Sequence, residues 1–166
     1  MNRFVNFVFV FFLFIFIGCK RNQYELIYNT IGKRLVTLDT ISKNSSQFTI
    51  LRYVDNPLCS SCQLKLGEWK IYKKKLRKSF KDRVDIYFLC ETKNIEETNY
   101  LFKIYDFKAT VDSSLNFYKS NDINPLIGKD IVFLLDSTNT ILSIGNPNDN
   151  VKINSLFSNI MSGSFK

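Results

Sequence analysis

The chain opens on an almost unbroken apolar run from Phe4 to Ile17, broken only by Asn6; beyond Lys20, apolar positions recur at strand and helix spacings. Phe48 to Asp55 is β-branched and aromatic and predicts a buried strand, which Asn56-Pro57 ends. A helix is expected from near Cys59, with Ser60 and Ser61 in its first turn and Cys62, Leu66, Trp69, Tyr72, Leu76 and Phe80 as its apolar stripe. Val84 to Cys90 predicts a second strand with Val84, Ile86, Phe88 and Cys90 on one face. Asn94-Ile95-Glu96-Glu97 has the character of a capping box and opens a helix running to about Tyr105. Ile131 to Asp136 predicts a third strand, turned by Ser137-Thr138-Asn139 into a hairpin partner over Thr140 to Ile144. Ile153, Leu156, Phe157, Ile160 and Met161 follow the i, i+3, i+4, i+7, i+8 spacing of an amphipathic terminal helix. Strand, helix, strand, helix, hairpin and helix make an α/β chain with a mixed sheet.

Composition divides the chain in two. Seven of its 16 phenylalanines lie in the first sixteen residues, so the aromatic excess belongs to the N-terminal segment. The fourteen residues from Phe4 to Ile17, behind the basic start Met1-Asn2-Arg3, match the core of an export signal. A bilayer-spanning helix needs about 20. Gly18-Cys19, followed by polar Lys20-Arg21-Asn22-Gln23, resembles the lipobox of bacterial lipoproteins. That resemblance implies cleavage before Cys19 and a diacylglyceryl group on its sulfur; an uncleaved anchor, or an ordinary signal with a coincidental cysteine, are the alternatives. The expected organisation is a signal peptide over 1–18, a lipidated N-terminus and tether over 19–32, and one domain over 33–166. The mature chain would then keep three thiols, Cys59, Cys62 and Cys90, outside the cytoplasm, where disulfides persist.

The absence of histidine excludes a Ser-His-Asp triad, a Cys-His nucleophile and the common His-liganded metal centres. It leaves thiol chemistry. Cys59-Ser60-Ser61-Cys62 stands directly after a predicted strand and at a helix start. Two intervening residues bring both sulfurs within bonding distance, and the first lies at the positive end of the helix dipole. Cys59 is therefore expected to have a lowered pKa and to attack a disulfide, with Cys62 resolving the mixed disulfide. A structural disulfide and a metal site remain the alternatives, the latter with only Cys90 as a third soft ligand. Cys90 is expected to pack in the core, or else to act as a third redox thiol.

The strand, the CxxC at a helix start and the late Phe133-Leu134-Leu135-Asp136 strand with its hairpin resemble the thioredoxin fold. With the lipoprotein signal and the extra helical segment, the chain over roughly 33–166 is most similar to the TlpA/ResA-like thiol-disulfide oxidoreductases of bacterial envelopes. The resemblance implies a mixed sheet flanked by helices, Cys59 and Cys62 as nucleophilic and resolving cysteines, and no cofactor or metal. It also implies cysteine-containing envelope proteins and a redox partner protein as partners, and a lipid-anchored, periplasm-facing location. The chain departs from the family pattern at four places. Leu58 replaces an aromatic residue before the first cysteine, and Ser60-Ser61 lacks the familiar proline or histidine. Tyr53 occupies the place of a buried acid six residues before Cys59, with Asp55 out of step. Counting back from Phe133, the family's cis-proline falls on Asp130, with Pro125 five residues earlier. The competing expectation is a non-enzymatic thioredoxin-like lipoprotein, a binding module whose disulfide is structural.

Charge adds one local feature. Nine lysines and arginines lie between Lys65 and Arg83 against Glu68 and Asp82, so this segment alone carries +7 of the chain's formal +8. These positions avoid the apolar stripe and describe a solvated helix face, open to anionic lipid headgroups or an acidic partner. No recognition motif accompanies the charge, and nucleic acid is not an expected partner.

Overall fold

The computed structural model describes residues 25–36, 46–55, 64–113, 116–127 and 130–164. Cys19, Cys59 and Cys62 lie outside the described residues. Five strands, β1 (Phe48–Asp55), β2 (Val84–Glu91), β3 (Lys108–Asp112), β4 (Asp130–Asp136) and β5 (Ile141–Ile144), form one sheet in the order β3-β2-β1-β4-β5. Strands β1, β2 and β3 run parallel, joined by helices α1 (Leu66–Phe80) and α2 (Ile95–Tyr105), as parallel neighbours require a crossover. Strand β4 pairs antiparallel with β1, and β5 with β4. A single turn of helix, α3 (Phe117–Ser120), precedes β4, and α4 (Val151–Ser162) closes the fold.

Period-two alternation splits the core into two layers. Ile50, Val54, Ile86, Phe88, Cys90, Val132 and Leu134 face α1, α2 and α4 and pack on Trp69, Leu76, Phe102, Phe157 and Met161. On the other face Leu51, Tyr53, Leu89, Phe133 and Leu135 pack on Leu35, Phe117, Ile123 and Ile127. This second layer is closed by the loop over 116–127 and by residues 25–36, where a helical turn sets Leu26 and Ile27 against it. The N–H groups of Gly32 and Leu35 donate to the carbonyls of Ile141 and Asn139, stitching that segment to the β5 edge. Among the described residues, no helix is long and apolar enough to cross a membrane.

The predicted strands and the other two long helices appear within a residue or two of their expected bounds, whereas α1 is described from Leu66 and its expected start near Cys59 lies outside the described residues; Cys90 is wholly buried in the first layer. Three features differ from expectation. Strand β3 was not predicted: Lys-Ala-Thr-Val-Asp is short and polar at both ends, and it forms because the exposed edge of β2 pairs with it. The capping box at α2 is not made, since the Asn94 side chain forms no cap bond. Instead the Thr92 hydroxyl accepts the Asn94 N–H at 3.2 Å. At α4 the Asn150 side chain does cap, accepting the N–H groups of Lys152 and Ile153 at 2.9 and 3.3 Å. On α1, Leu66, Trp69, Tyr72 and Leu76 are buried, while Lys70, Lys74, Lys75, Arg77 and Lys78 are exposed.

Candidate functional site

The carboxyl ends of parallel strands are where α/β sheets place their chemistry. Here they bring together residues that sit far apart in sequence. Arg52 and Tyr53 are adjacent on β1 and therefore point to opposite faces. Arg52 enters the α1 layer and exposes only 1 % of its surface. Its guanidinium makes a two-pronged pair with Asp130, Nε and Nη2 donating to the two carboxylate oxygens at 2.8 and 2.6 Å. Nη1 donates to the backbone carbonyl of Leu64, at the foot of α1, and the group lies 5.6 Å from the Trp69 ring centroid. A buried arginine with this fork geometry is satisfied as a unit, and it ties three elements together: β1, the start of β4 and the start of α1.

On the opposite face Tyr53 is buried beneath Phe117, with ring centroids 4.2 Å apart and nearly parallel. Its hydroxyl donates to the Glu91 carboxylate at 2.9 Å. Burial is the chief force pushing the Tyr53 phenol far above its ordinary value, and the hydrogen bond to Glu91 and that residue's negative charge add to it. The Tyr118 phenol is likewise raised, first by burial and then by the charges of Asp55, Glu91 and Asp130. Asp55 is the register partner of Glu91 across β1 and β2, so two carboxylates stand side by side at the strand ends. Tyr53, Asp55 and Glu91 form one wall of a cleft of about 480 Å³, with Phe117, Tyr118 and Pro125 opposite.

Two of the departures read from the sequence thus acquire a structural account. The position six residues before Cys59 is a tyrosine, and the carboxylate beside it comes from the neighbouring strand as Glu91. Asp130 opens β4 opposite Val54 and spends its carboxylate on Arg52. Pro125 stands apart from the strand, in a 3-10 turn over Pro125–Ile127. Sequence reasoning missed Arg52 and Glu91. The available signal for Arg52 was a lone charge inside an apolar strand; Glu91 had none, because its role depends on strand register.

No family model matches the chain, and no curated protein matches it. Solved structures do. A thioredoxin-like protein from Bacteroides caccae is 15% identical with a TM-score of 0.53, over 83% of this chain and 53% of that one. A domain of a possible thiol-disulfide isomerase from Cytophaga hutchinsonii is 19% identical with a TM-score of 0.52, over 73% of this chain and 80% of that one. A thiol:disulfide interchange protein from Bacteroides sp. is 11% identical with a TM-score of 0.50, over 80% and 84% of the two chains. At such identities the likeness carries the architecture alone. The mixed five-stranded sheet with helices on its faces is a thioredoxin-like fold, and this chain has it.

Proposed function

We propose that the protein is a thiol-disulfide oxidoreductase with Cys59-Ser60-Ser61-Cys62 as its redox centre. In this reading a lipid on Cys19 holds it to a bacterial envelope membrane, facing the periplasm. The observation that carries the reading is the junction on which the pair falls. Strand β1 ends at Asp55 and the chain is helical at Leu64, so the cysteines belong to the strand-to-helix connection of a thioredoxin-like sheet. The covalent chain keeps position 59 within about 14 Å of Asp55 and position 62 within about 7 Å of Leu64. A helix start at the pair, as the sequence leads one to expect, would favour thiolate there.

The exchange balances as follows. The Cys59 thiolate attacks one sulfur of a substrate disulfide; a bond forms between them and the second substrate sulfur leaves as a thiolate that takes up a proton. The Cys62 thiolate then attacks the Cys59 sulfur, releasing the first substrate sulfur. Two electrons pass to the substrate, cysteine-containing exported proteins, and the Cys59–Cys62 disulfide is left for a redox partner protein to reduce.

Insulin-disulfide reduction by the full chain in detergent tests the reading. Cys59→Ser is expected to abolish it, Cys62→Ser to accumulate mixed disulfide, and the Cys59 thiol to titrate below the free value of about 8.5. A Cys59 thiol at the free value with no insulin reduction would sink the enzyme reading in favour of the non-enzymatic binding module. For the anchor, Cys19→Ser is expected to release the protein from the membrane fraction. Unchanged association would point to a spanning segment.

A further inference from the structure

The cleft at the carboxyl ends of β1 and β2 combines two features that neither packing nor solvation calls for. Like charges directly opposite each other on paired strands are destabilising. Asp55 and Glu91 are nevertheless register partners, both half-buried on the same wall. Among the described residues no cation lies within ion-pair distance of either one. Among the described residues, the only side chain that donates to the Glu91 carboxylate is Tyr53, through its hydroxyl. Beside them is an aromatic nest. Tyr53 stacks on Phe117, and Tyr118 meets both rings edge-on at centroid distances of 5.0 and 5.7 Å.

We propose that this cleft receives a lysine or arginine side chain of a partner polypeptide, with the cationic head between Asp55 and Glu91 and the aliphatic stem along Tyr118. Carboxylates supply charge-assisted bonds, and an aromatic face adds attraction to a cation together with apolar contact for the stem. Lys119 and Asp122 also line the cleft, and Asp122 is paired with Lys33 at 3.0 Å. A metal ion is a poorer fit, since the described residues hold no group of three ligating side chains and calcium takes six or more oxygens. The charge on α1 does not cancel the effect: it lies on the other face of the sheet, and exposed charges are screened beyond about 8 Å.

Binding in the cleft stands on these residues alone; that the bound polypeptide is a disulfide substrate rests on the redox reading. With Cys59 within about four residues' reach of Asp55, the favoured substrates would carry the cation a few residues from the reacting cysteine.

Calorimetric titration of the full chain in detergent with cysteine-free peptides Gly-Ser-Lys-Lys-Ser-Gly and Gly-Ser-Glu-Glu-Ser-Gly tests the site. The lysine peptide is expected to bind and the glutamate peptide not. Asp55→Asn and Glu91→Gln, which keep side-chain shape and hydrogen-bonding capacity, should each weaken binding about tenfold. Lys78→Gln on α1 should leave it unchanged. Equal binding of both peptides, indifference to Asp55→Asn and Glu91→Gln, or calcium ion alone binding and displacing the lysine peptide would overturn the proposal. Lysine-peptide binding without any insulin reduction would sink the redox reading and leave the site standing. Insulin reduction with no lysine-peptide binding would do the reverse.

Discussion

The Arg52 guanidinium lies 5.6 and 6.0 Å from the ring centroids of Trp69 and Phe88, and its bonds to Asp130 and to the Leu64 carbonyl cross from β1 to other parts of the fold. Taking such a charge out of water is expensive, and the carboxylate of Asp130 offsets that cost only while it stays in place. Asp130 is 49% exposed and can itself be solvated, so the two partners are not equivalent. Asp130→Ala leaves a buried cation without its fork partner and is expected to cost about 3 kcal/mol. Arg52→Met, which fills the same apolar slot and frees an exposed carboxylate, should cost less. The double variant should be less destabilised than the sum of the two singles. Urea unfolding of all four proteins closes the cycle; strict additivity would show that the pair is not coupled.

At the scale of elements, the β4–β5 hairpin depends on one carboxylate and one glycine. Asp136 accepts the N–H of Thr138 at 2.8 Å, its hydroxyl at 2.7 Å and the N–H of Thr140 at 2.9 Å. Burial pushes the Asp136 carboxyl up, but these hydrogen bonds outweigh it and hold the group below its usual value. A lowered folded value means stability that is full above the unfolded carboxylate range and lost as pH falls through the folded value. The melting-temperature gap between wild type and Asp136→Ala should therefore be widest near neutrality and close in acid; a constant gap would assign the loss to packing instead. Gly145, at φ +141°, follows β5 where a Cβ would meet three Ile153 side-chain carbons at 3.0 to 3.2 Å. Gly145→Ala is expected to cost about 2 kcal/mol, and adding Ile153→Ala should return only the steric part, read by the same unfolding curves. The sequence showed these elements clearly where burial imposed a pattern: β1 is a β-branched and aromatic buried run, β2 alternates, and α1 carries an apolar stripe. Strand β3 was invisible because its five residues gain their place from a neighbour's free edge rather than from their own pattern. The same limit applies to the site. The cysteine pair is local and legible, whereas Tyr53 meets Glu91 across 38 positions and Arg52 meets Asp130 across 78, contacts that exist only once strands are in register.

For the molecule as a whole, both core layers depend on phenols that stay protonated. Tyr72, on α1, is buried, which raises its phenol, and its hydroxyl donates to Asn154 of α4 at 3.2 Å. Tyr53 and Tyr118 are raised on the opposite face, first by burial and then by the carboxylates of the cleft. A folded value above the unfolded one gives stability that is intact below the unfolded phenol value of about 10 and is lost as pH rises past it. Lysine deprotonation acts in the other direction over the same range, because it trims the formal +8 and relieves self-repulsion. The tyrosines should prevail. The lysines of α1 other than Lys73 are exposed and screened, whereas each unit of phenol shift is about 1.4 kcal/mol and four groups contribute, Tyr87 of β2, raised by burial, among them. The urea midpoint is accordingly expected to fall between about pH 9 and pH 11, with phenolate absorbance from these residues appearing together with unfolding rather than before it. Tyr72→Phe loses one hydrogen bond at neutral pH but removes one titrating group, so its midpoint should fall less steeply in alkali than that of the wild type. Phenolate absorbance that developed fully near pH 10 with the fold intact, or parallel slopes for the two proteins, would show that the layers do not depend on neutral tyrosine.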